Sequence, residues 1–174
     1  VYDEQACVLD LQTGHVDKLS ELGKVVPQKT IFGFYGKLPN SQTMLLSTND
    51  SLWGYDITTK ETRRLYQHPD VLVSEWGSFD NWVIDENNVF WLSYPTKGLI
   101  GLEFPSFEPK YFYHSKNSII DNNVYSLMTD NDGDIWFSSH KGLFLLNKDT
   151  QHIRNFTIAD GFPAMEFNGS AKYK

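Results

Sequence analysis

The sequence has a single cysteine, no long apolar run and no surplus of basic residues. Because Cys7 is the only thiol, an intrachain disulfide and a thiolate metal cluster are both excluded. Its apolar runs, such as residues 143–146, are far shorter than the ~20 residues that a membrane-spanning helix needs. Lys and Arg number 15 against 22 Asp and Glu, and this net charge of −7 argues against binding to nucleic acid or to an anionic membrane.

Aromatic residues are abundant instead, with 12 Phe, 5 Trp and 9 Tyr in 174 residues. Such residues favour the half-buried surfaces of β-sheets. No stretch combines helical periodicity with capping residues over three turns, so the composition predicts an all-β chain. The sequence starts at Val1 without a charged and then apolar leader, and we expect it to be a segment of a longer protein.

A repeat with a period of about 45 residues runs along the chain, as in propeller blades. Its matching positions are an aspartate, a tryptophan and a Gly-Leu pair, namely Asp85, Trp91 and Gly98-Leu99 in one unit and Asp130, Trp136 and Gly142-Leu143 in the next. The tryptophans lie on predicted second strands, where a large ring fills the gap between sheets. The glycines open third strands, where a side chain would strain the turn.

Each unit divides into four short strands separated by turns rich in Asp, Asn and Gly. The predicted strands are 31–36, 43–48, 51–57 and 62–66, then 79–85, 88–93, 98–104 and 109–113, then 123–129, 134–139, 142–147 and 152–157. Four strands per repeat are typical of a β-propeller. We therefore predict an all-β propeller fragment of four-stranded antiparallel blades. The predicted boundaries are the end of a blade and a connection at 1–29, blades at 30–70, 71–114 and 115–159, and the start of another at 160–174.

The unit containing Asn123-Val124, Asp130, Asp132-Gly133, Ile135-Trp136, Ser139 and Gly142-Leu143 resembles the two-component-regulator propeller repeat. Asp160-Gly161-Phe162-Pro163 and Glu166-Phe167-Asn168 resemble a segment near the end of such repeat arrays. Two departures stand out, because residues 85–88 lack the usual turn glycine and Ser51-Leu52 replaces Gly-Leu.

The resemblance implies a ligand-sensing region on the periplasmic side of a bacterial inner-membrane signalling protein. In that family, such propellers precede a membrane span and a histidine-kinase or diguanylate-cyclase output, and many are thought to respond to oligosaccharides. The output domain, and with it the chemistry, would lie outside this chain.

Propellers bind ligands on the loops that join second to third strands and one blade to the next, since rigid strands position those loops. The candidate ligand-binding residues there are Trp76, Tyr94, Lys97, His140 and Lys141. Aromatic rings suit the apolar face of a sugar, and polar groups suit its hydroxyls. We expect a small-molecule or oligosaccharide ligand. Because each blade buries its faces only against neighbours, we also expect contact with neighbouring blades or with a second copy of the chain.

The sequence predicts no catalytic residue, cofactor or metal site. Asp130 and Asp132 have the spacing of calcium ligands, but Met128 stands where an EF-hand loop needs an oxygen ligand and Ser139 stands where it needs a bidentate glutamate, so a hairpin turn is predicted. There is no Gly-x-Ser-x-Gly elbow and no phosphate-binding glycine loop.

Two other functions fit the same fold. A polysaccharide lyase or glycosidase would need acid and base groups on the loops, where the candidates are Asp70, Glu75, His114 and His140. A protein-interaction scaffold would bind a protein partner and no small ligand.

Overall fold

The computed structural model describes residues 7–9, 12–14, 16–18, 33–48, 51–68, 81–94, 97–118, 121–163 and 167. A two-stranded hairpin of β1 (Cys7–Leu9) and β2 (Val16–Lys18) precedes three four-stranded antiparallel sheets. One short 3₁₀ turn at Ile158–Asp160 follows the last sheet. In these ranges, no helix is long and apolar enough to cross a membrane.

Each four-stranded sheet is a meander in which strands adjacent in sequence pair with one another. The first sheet contains β3 (Gly33–Lys37), β4 (Thr43–Ser47), β5 (Ser51–Asp56) and β6 (Thr62–Gln67). The second contains β7 (Asn81–Ile84), β8 (Val89–Tyr94), β9 (Gly98–Glu103) and β10 (Glu108–Tyr113). The third contains β11 (Ser126–Thr129), β12 (Ile135–Ser139), β13 (Gly142–Leu146) and β14 (Ile153–Phe156). The prediction of four-stranded antiparallel propeller blades is confirmed.

The strand bounds differ from the predicted ones mainly at the start of β11. The pattern predicted a strand from Asn123, but ladder pairing starts at Ser126, opposite Ser138. Before it, the backbone N–H of Tyr125 donates to the carbonyl oxygen of Ser138 at 2.9 Å. Residues 121–125 therefore belong to the connection that enters the sheet, and this puts Tyr125 at a sheet end.

Two third strands begin at a glycine whose conformation other residues rarely adopt. Gly98 has φ 101° and Gly142 has φ 120°. A Cβ atom at Gly142 would collide with the carbonyl oxygen of Phe156 on the neighbouring strand, and one at Gly98 would collide with that of Tyr113. The predicted need for glycine is confirmed at both positions.

In the second sheet, which lacks the turn glycine, an asparagine adopts the same left-handed backbone conformation. Gly133 has φ 82° in the turn between β11 and β12, and Asn88 has φ 57° in the turn between β7 and β8. Asparagine tolerates this left-handed conformation better than most residues.

Asp130 holds the turn between β11 and β12 together. Its Oδ1 accepts the backbone N–H groups of Asp132 and Asp134, each at 3.0 Å. Its Oδ2 accepts the indole N–H of Trp136 at 2.8 Å. Both carboxylate oxygens thus bind the protein's own donors, as the prediction of a hairpin turn requires. We call this arrangement of an aspartate, its turn and its tryptophan the turn clamp.

The second sheet has the same turn clamp. Oδ1 of Asp85 accepts the backbone N–H groups of Asn87 at 2.9 Å and Val89 at 2.8 Å, and Oδ2 accepts the indole N–H of Trp91 at 2.8 Å. The repeated Asp and Trp of the sequence are therefore the acceptor and the donor of the same hydrogen bond in each sheet.

The three sheets pack face to face through two apolar clusters. The cluster between the first and second sheets contains Leu38, Leu45, Leu52, Tyr66, Phe90, Leu92, Ile100, Leu102 and Phe107. The cluster between the second and third sheets contains Val89, Trp91, Leu99, Val124, Leu127, Ile135, Phe137, Phe144 and Leu146. Alternate residues of β8 enter opposite clusters, as the period of two along a strand requires. The second sheet is thus buried on both faces.

Trp91 fills the interface with the third sheet, as predicted, by stacking on two tyrosines. Its ring centroid lies 5.4 Å from that of Tyr111 and 6.1 Å from that of Tyr113. Gly101 of β9 lies between Trp91 and Tyr111 in the ladder, and a side chain there would crowd both rings. The hydroxyl of Tyr113 donates to Oε1 of Gln151 in the third sheet at 2.6 Å. Burial, and then the neighbouring Tyr111, raises the pKa of Tyr113.

We expect Asp130→Ala to lower the free energy of unfolding by about 2 kcal/mol, because it leaves the indole N–H of Trp136 and two turn amides without their acceptor. Asp132→Ala is the matched control, since Asp132 is exposed in the same turn and contributes only its backbone N–H. Urea unfolding followed by tryptophan fluorescence measures both. Equal stabilities of the two variants would show that the turn clamp contributes nothing.

The turn clamp also predicts a dependence of stability on acid. Burial by itself would raise the pKa of Asp130, but the hydrogen bonds from Trp136 and from the amides of Asp134, Asp132 and Gly133 outweigh it and lower the pKa below its ordinary 3.8. The stabilisation is therefore complete above pH 4 and is lost as the pH falls through the folded-state pKa. We expect Asp130→Asn to flatten the fall in urea midpoint between about pH 5 and pH 2.5 relative to Asp132→Asn. Parallel curves for the two variants would contradict this.

Gly142→Ala and Gly161→Ala separate steric collision from backbone conformation. Both glycines have positive φ, but a Cβ at Gly161 meets no atom within 4 Å. We expect Gly161→Ala to cost about 1 kcal/mol and Gly142→Ala about 3 kcal/mol, because only the second also displaces the β14 backbone. Thermal unfolding measures both, and a smaller loss for Gly142→Ala would be inconsistent with the collision.

Candidate ligand-binding face

One end of the three sheets collects the connections in which recognition was predicted. In an antiparallel meander, the turn between the second and third strands and the exit of the fourth strand lie at the same end. These ends are aligned in neighbouring sheets, because Nδ2 of Asn81, at the start of β7, donates to the carbonyl oxygen of Tyr125, just before β11, at 2.7 Å. We call this end the loop face, and the opposite end the turn face.

The two faces differ in charge. Most acidic residues in the described ranges lie on the turn face, in its turns or directly beside them, namely Asp56, Glu61, Asp85, Glu86, Glu103, Glu108, Asp130, Asp132, Asp134 and Asp149. The described part of the loop face carries lysines and histidines together with Asp121 and Asp160. Asp160 lies 3.6 Å from the guanidinium of Arg154 and is also bound by the backbone N–H of Thr157.

Tyr125 and His140 form the most defined side-chain pair of the loop face. Their ring centroids are 4.8 Å apart at an interplanar angle of 85°, an edge-to-face contact, and the Tyr125 hydroxyl hydrogen-bonds Nε2 of His140. The tyrosine backbone is held from two sides, by Ser138 of its own sheet and by Asn81 of the second sheet. Tyr125 is half-buried and His140 is exposed. The pair thus stands on a fixed backbone and presents polar atoms and ring edges to solvent.

The turn that carries His140 and Lys141 is fixed through its backbone. Oγ of Ser139 accepts the N–H of Lys141 at 2.8 Å, and the carbonyl oxygen of Ser139 accepts the N–H of Phe167 at 3.3 Å. The carbonyl oxygen of Lys141 accepts Nδ2 of Asn155 at 3.4 Å. The side chains of His140 and Lys141 remain exposed above this turn.

The other predicted ligand-binding residues lie on the equivalent turn of the second sheet or outside the described residues. Tyr94 is the last residue of β8 and pairs with Gly98, and the half-buried Lys97 directly precedes Gly98. Trp76 lies outside the described residues. Tyr94 and Lys97 thus share one turn, and His140 and Lys141 share the equivalent turn of the next sheet.

His114 has a structural role in the connection between the second and third sheets. Its Nδ1 accepts the N–H of Lys116 at 3.2 Å, and its ring lies 4.9 Å from that of Phe112. Oδ1 of Asn117 accepts the N–H of His114 at 2.8 Å, which closes the turn. Of the other candidate acid–base groups, Asp70 and Glu75 lie outside the described residues.

Tyr125 is the residue of this face that the sequence pattern missed. It was placed inside a predicted strand, where alternation alone assigns a side chain to one sheet face or the other. The sequence pattern did not show that ladder pairing begins only at Ser126, so Tyr125 was not assigned to the loop face. Within the described residues, no group of three His, Cys, Asp or Glu side chains is arranged to hold a metal ion.

Comparison with known proteins agrees with this architecture. Residues 118–141 match the family model described as two component regulator propeller. Among curated proteins, no sequence is significantly similar to this chain.

Several solved structures share the fold. An extracellular domain assigned to the one-component system BT4673 of B. thetaiotaomicron superposes with a TM-score of 0.66 at 16% identity, covering 94% of this chain and 21% of that one. An extracellular domain assigned to the hybrid two-component system BT3049 of the same organism has a TM-score of 0.58 at 14% identity, covering 79% of this chain and 20% of that one. The chain therefore spans about a fifth of the length of these relatives.

The resemblance read from the sequence is thus confirmed at residues 118–141, which match the two-component-regulator propeller model, and the chain has the fold of a β-propeller.

Proposed function

We propose that the chain is part of an extracytoplasmic sensor in a transmembrane two-component signalling protein. The observation that carries the proposal is the fold likeness over 94% of the chain to an extracellular domain of a bacterial signalling system. The family repeat at residues 118–141 supports it. On this proposal, the chain lies on the periplasmic side of a bacterial inner membrane, its outer sheet faces pack against neighbouring blades or a second copy, and the output domain lies elsewhere in the protein.

The proposed ligand is an oligosaccharide bound on the loop face. Sugars are recognised by aromatic surfaces beside hydrogen-bonding groups, and the loop face combines the Tyr125 ring with the imidazole of His140 and the ammonium group of Lys141. The backbone of this site is held by hydrogen bonds, so little order has to be gained on binding. Lys97 and Tyr94 on the equivalent turn would extend the same surface toward the second sheet.

The same contacts suggest how binding reaches the rest of the protein. Asn81 of the second sheet holds the carbonyl oxygen of Tyr125, and Ser138 of the third sheet holds its N–H. A ligand that moves Tyr125 therefore acts on two sheets at once. We propose that this changes the relative position of the blades and that the change is transmitted toward the membrane.

We propose that the chain binds its ligand and does not convert it chemically. His114, one of four candidate acid–base groups, uses Nδ1 to accept a backbone N–H, which leaves it less suited to proton transfer at that atom. Incubation with oligosaccharides, followed by assays for new reducing ends and unsaturated products, tests this point. Any such product would favour the polysaccharide-degrading alternative.

We expect Tyr125→Ala and His140→Ala each to weaken oligosaccharide binding about tenfold, because each removes one half of the ring pair from the centre of the site. His152→Ala is the matched control, since His152 is an equally exposed histidine of the same sheet at the turn face. Glycan-array screening identifies the ligand, and isothermal titration calorimetry measures the variants.

Equal binding by all three variants would show that the oligosaccharide does not bind at Tyr125 and His140 on the loop face. Failure of every oligosaccharide to bind, together with capture of a protein partner, would favour the interaction scaffold instead.

A further inference from the structure

Two neighbouring sheets carry a lysine at the same position of the loop face. Lys97 and Lys141 each directly precede the glycine that opens the third strand of their sheet. In the first unit, the residue at this position of the sequence is Asp50. The lysine is therefore not part of the pattern that all three units share, and the repeat itself does not account for it.

A series of hydrogen bonds links the two turns that carry these lysines. Oγ of Ser93, in β8, accepts the backbone N–H of Asn81 at 3.2 Å, and Nδ2 of Asn81 donates to the carbonyl oxygen of Tyr125 at 2.7 Å. The Tyr125 hydroxyl in turn hydrogen-bonds His140, which directly precedes Lys141. Sheets that pack face to face lie about 10 Å apart. Equivalent residues of the two turns are therefore separated by about the length of two linked sugar rings.

Neither lysine is neutralised by a carboxylate of the described chain. The ammonium groups of Lys97 and Lys141 make no ion pair and no ring contact with any residue in the described ranges. Lys148 on the turn face differs, because its ammonium group lies 3.0 Å from the carboxylate of Asp149. Lys141 is exposed and Lys97 is half-buried. The positive charges on the loop face are thus available to a ligand.

The other charges on the described part of the loop face do not cancel these two. Lys116, exposed in the connection after β10, adds a third cation. Asp160 already lies beside the guanidinium of Arg154, so Asp121 is the one carboxylate of the described loop face without a cationic neighbour. This end of the molecule is therefore cationic, although the chain has a net charge of −7. Such a local surplus of positive charge attracts anions.

We propose that the oligosaccharide bound on the loop face is anionic and carries a carboxylate or sulfate group on alternate sugars. One such group pairs with Lys97 and the next with Lys141. The inference rests on the proposed function, since it takes oligosaccharide binding at the Tyr125–His140 pair as given. The ring pair contacts the sugar, and the lysines select a charged chain over a neutral one of the same shape. Because a single exposed ion pair contributes little, the selection depends on both lysines acting together.

The test compares acidic hexasaccharides with neutral counterparts that have the same linkages. The hyaluronan hexasaccharide has a carboxylate on every second sugar, and its carboxyl-reduced form is neutral. The κ-carrageenan hexasaccharide has a sulfate on every second sugar, and its desulfated form is neutral. We expect the chain to bind at least one of the two acidic forms, and to bind its neutral counterpart about tenfold more weakly. Isothermal titration calorimetry measures the constants, and the form that binds identifies the acidic group.

Substitution of the lysines tests the assignment to these residues. Lys97→Met and Lys141→Met should each weaken the acidic hexasaccharide about threefold and leave its neutral counterpart unchanged, because each removes a charge and keeps an aliphatic side chain. Lys37→Met is the matched control, since Lys37 is an exposed lysine at the end of β3 on the turn face, and it should change neither constant. Circular dichroism with thermal unfolding shows whether each variant is folded.

The outcomes separate this inference from the proposed function. If acidic and neutral forms bind equally, if neutral oligosaccharides bind and neither acidic form does, or if the preference for the acidic form persists in both lysine variants, the inference is overturned. A bound oligosaccharide that Tyr125→Ala still weakens would leave the proposed function intact in each of these cases. Failure of every oligosaccharide to bind would overturn both.

Discussion

The structure depends on one constraint, which is that a four-stranded sheet one layer thick has no core of its own. Each sheet must bury its faces against the next, and the second sheet does so on both sides. Alternate residues of β8 show this directly, since Phe90 and Leu92 enter one cluster while Val89 and Trp91 enter the other. A register slip of one residue would exchange the two sets, so packing against both neighbours specifies the register.

The repeated residues serve this architecture. Asp85 and Asp130 each accept a hydrogen bond from the tryptophan that comes six residues later. This bond links a turn on the turn face to a tryptophan ring, which lies between two sheets for Trp91 and against Phe156 for Trp136. The recurring glycines let one strand begin close to the backbone of its neighbour. Residues that differ between units are the ones available for recognition. Tyr125 with His140 distinguishes the loop face of the third sheet.

Much of the fold follows from the sequence because the period of about 45 residues and the turn chemistry are local signals. They located the strands of three sheets and the positions of Gly98 and Gly142. The same signals did not identify the partner of Trp136, since an indole hydrogen bond to Asp130 leaves no mark beyond two residues that recur together. Four of the five predicted ligand-binding residues lie on two equivalent turns of the loop face, and their role in binding stays a prediction. Trp76 lies outside the described residues.

The sequence by itself determined that four-stranded units repeat and where their turns fall, because each of these depends on residues close together in the chain. Its prediction of a tryptophan between sheets holds for Trp91, whereas Trp136 stacks on Phe156 of its own sheet. Only the tertiary structure decided which side chains meet across sheets. Asn81 reaches Tyr125 and Tyr113 reaches Gln151 over separations of 44 and 38 residues. A cleft lined by Tyr66 and His68 of the first sheet and by Ile100 and Phe112 of the second likewise arises from the fit of two sheets, a property of shape that no single repeat contains.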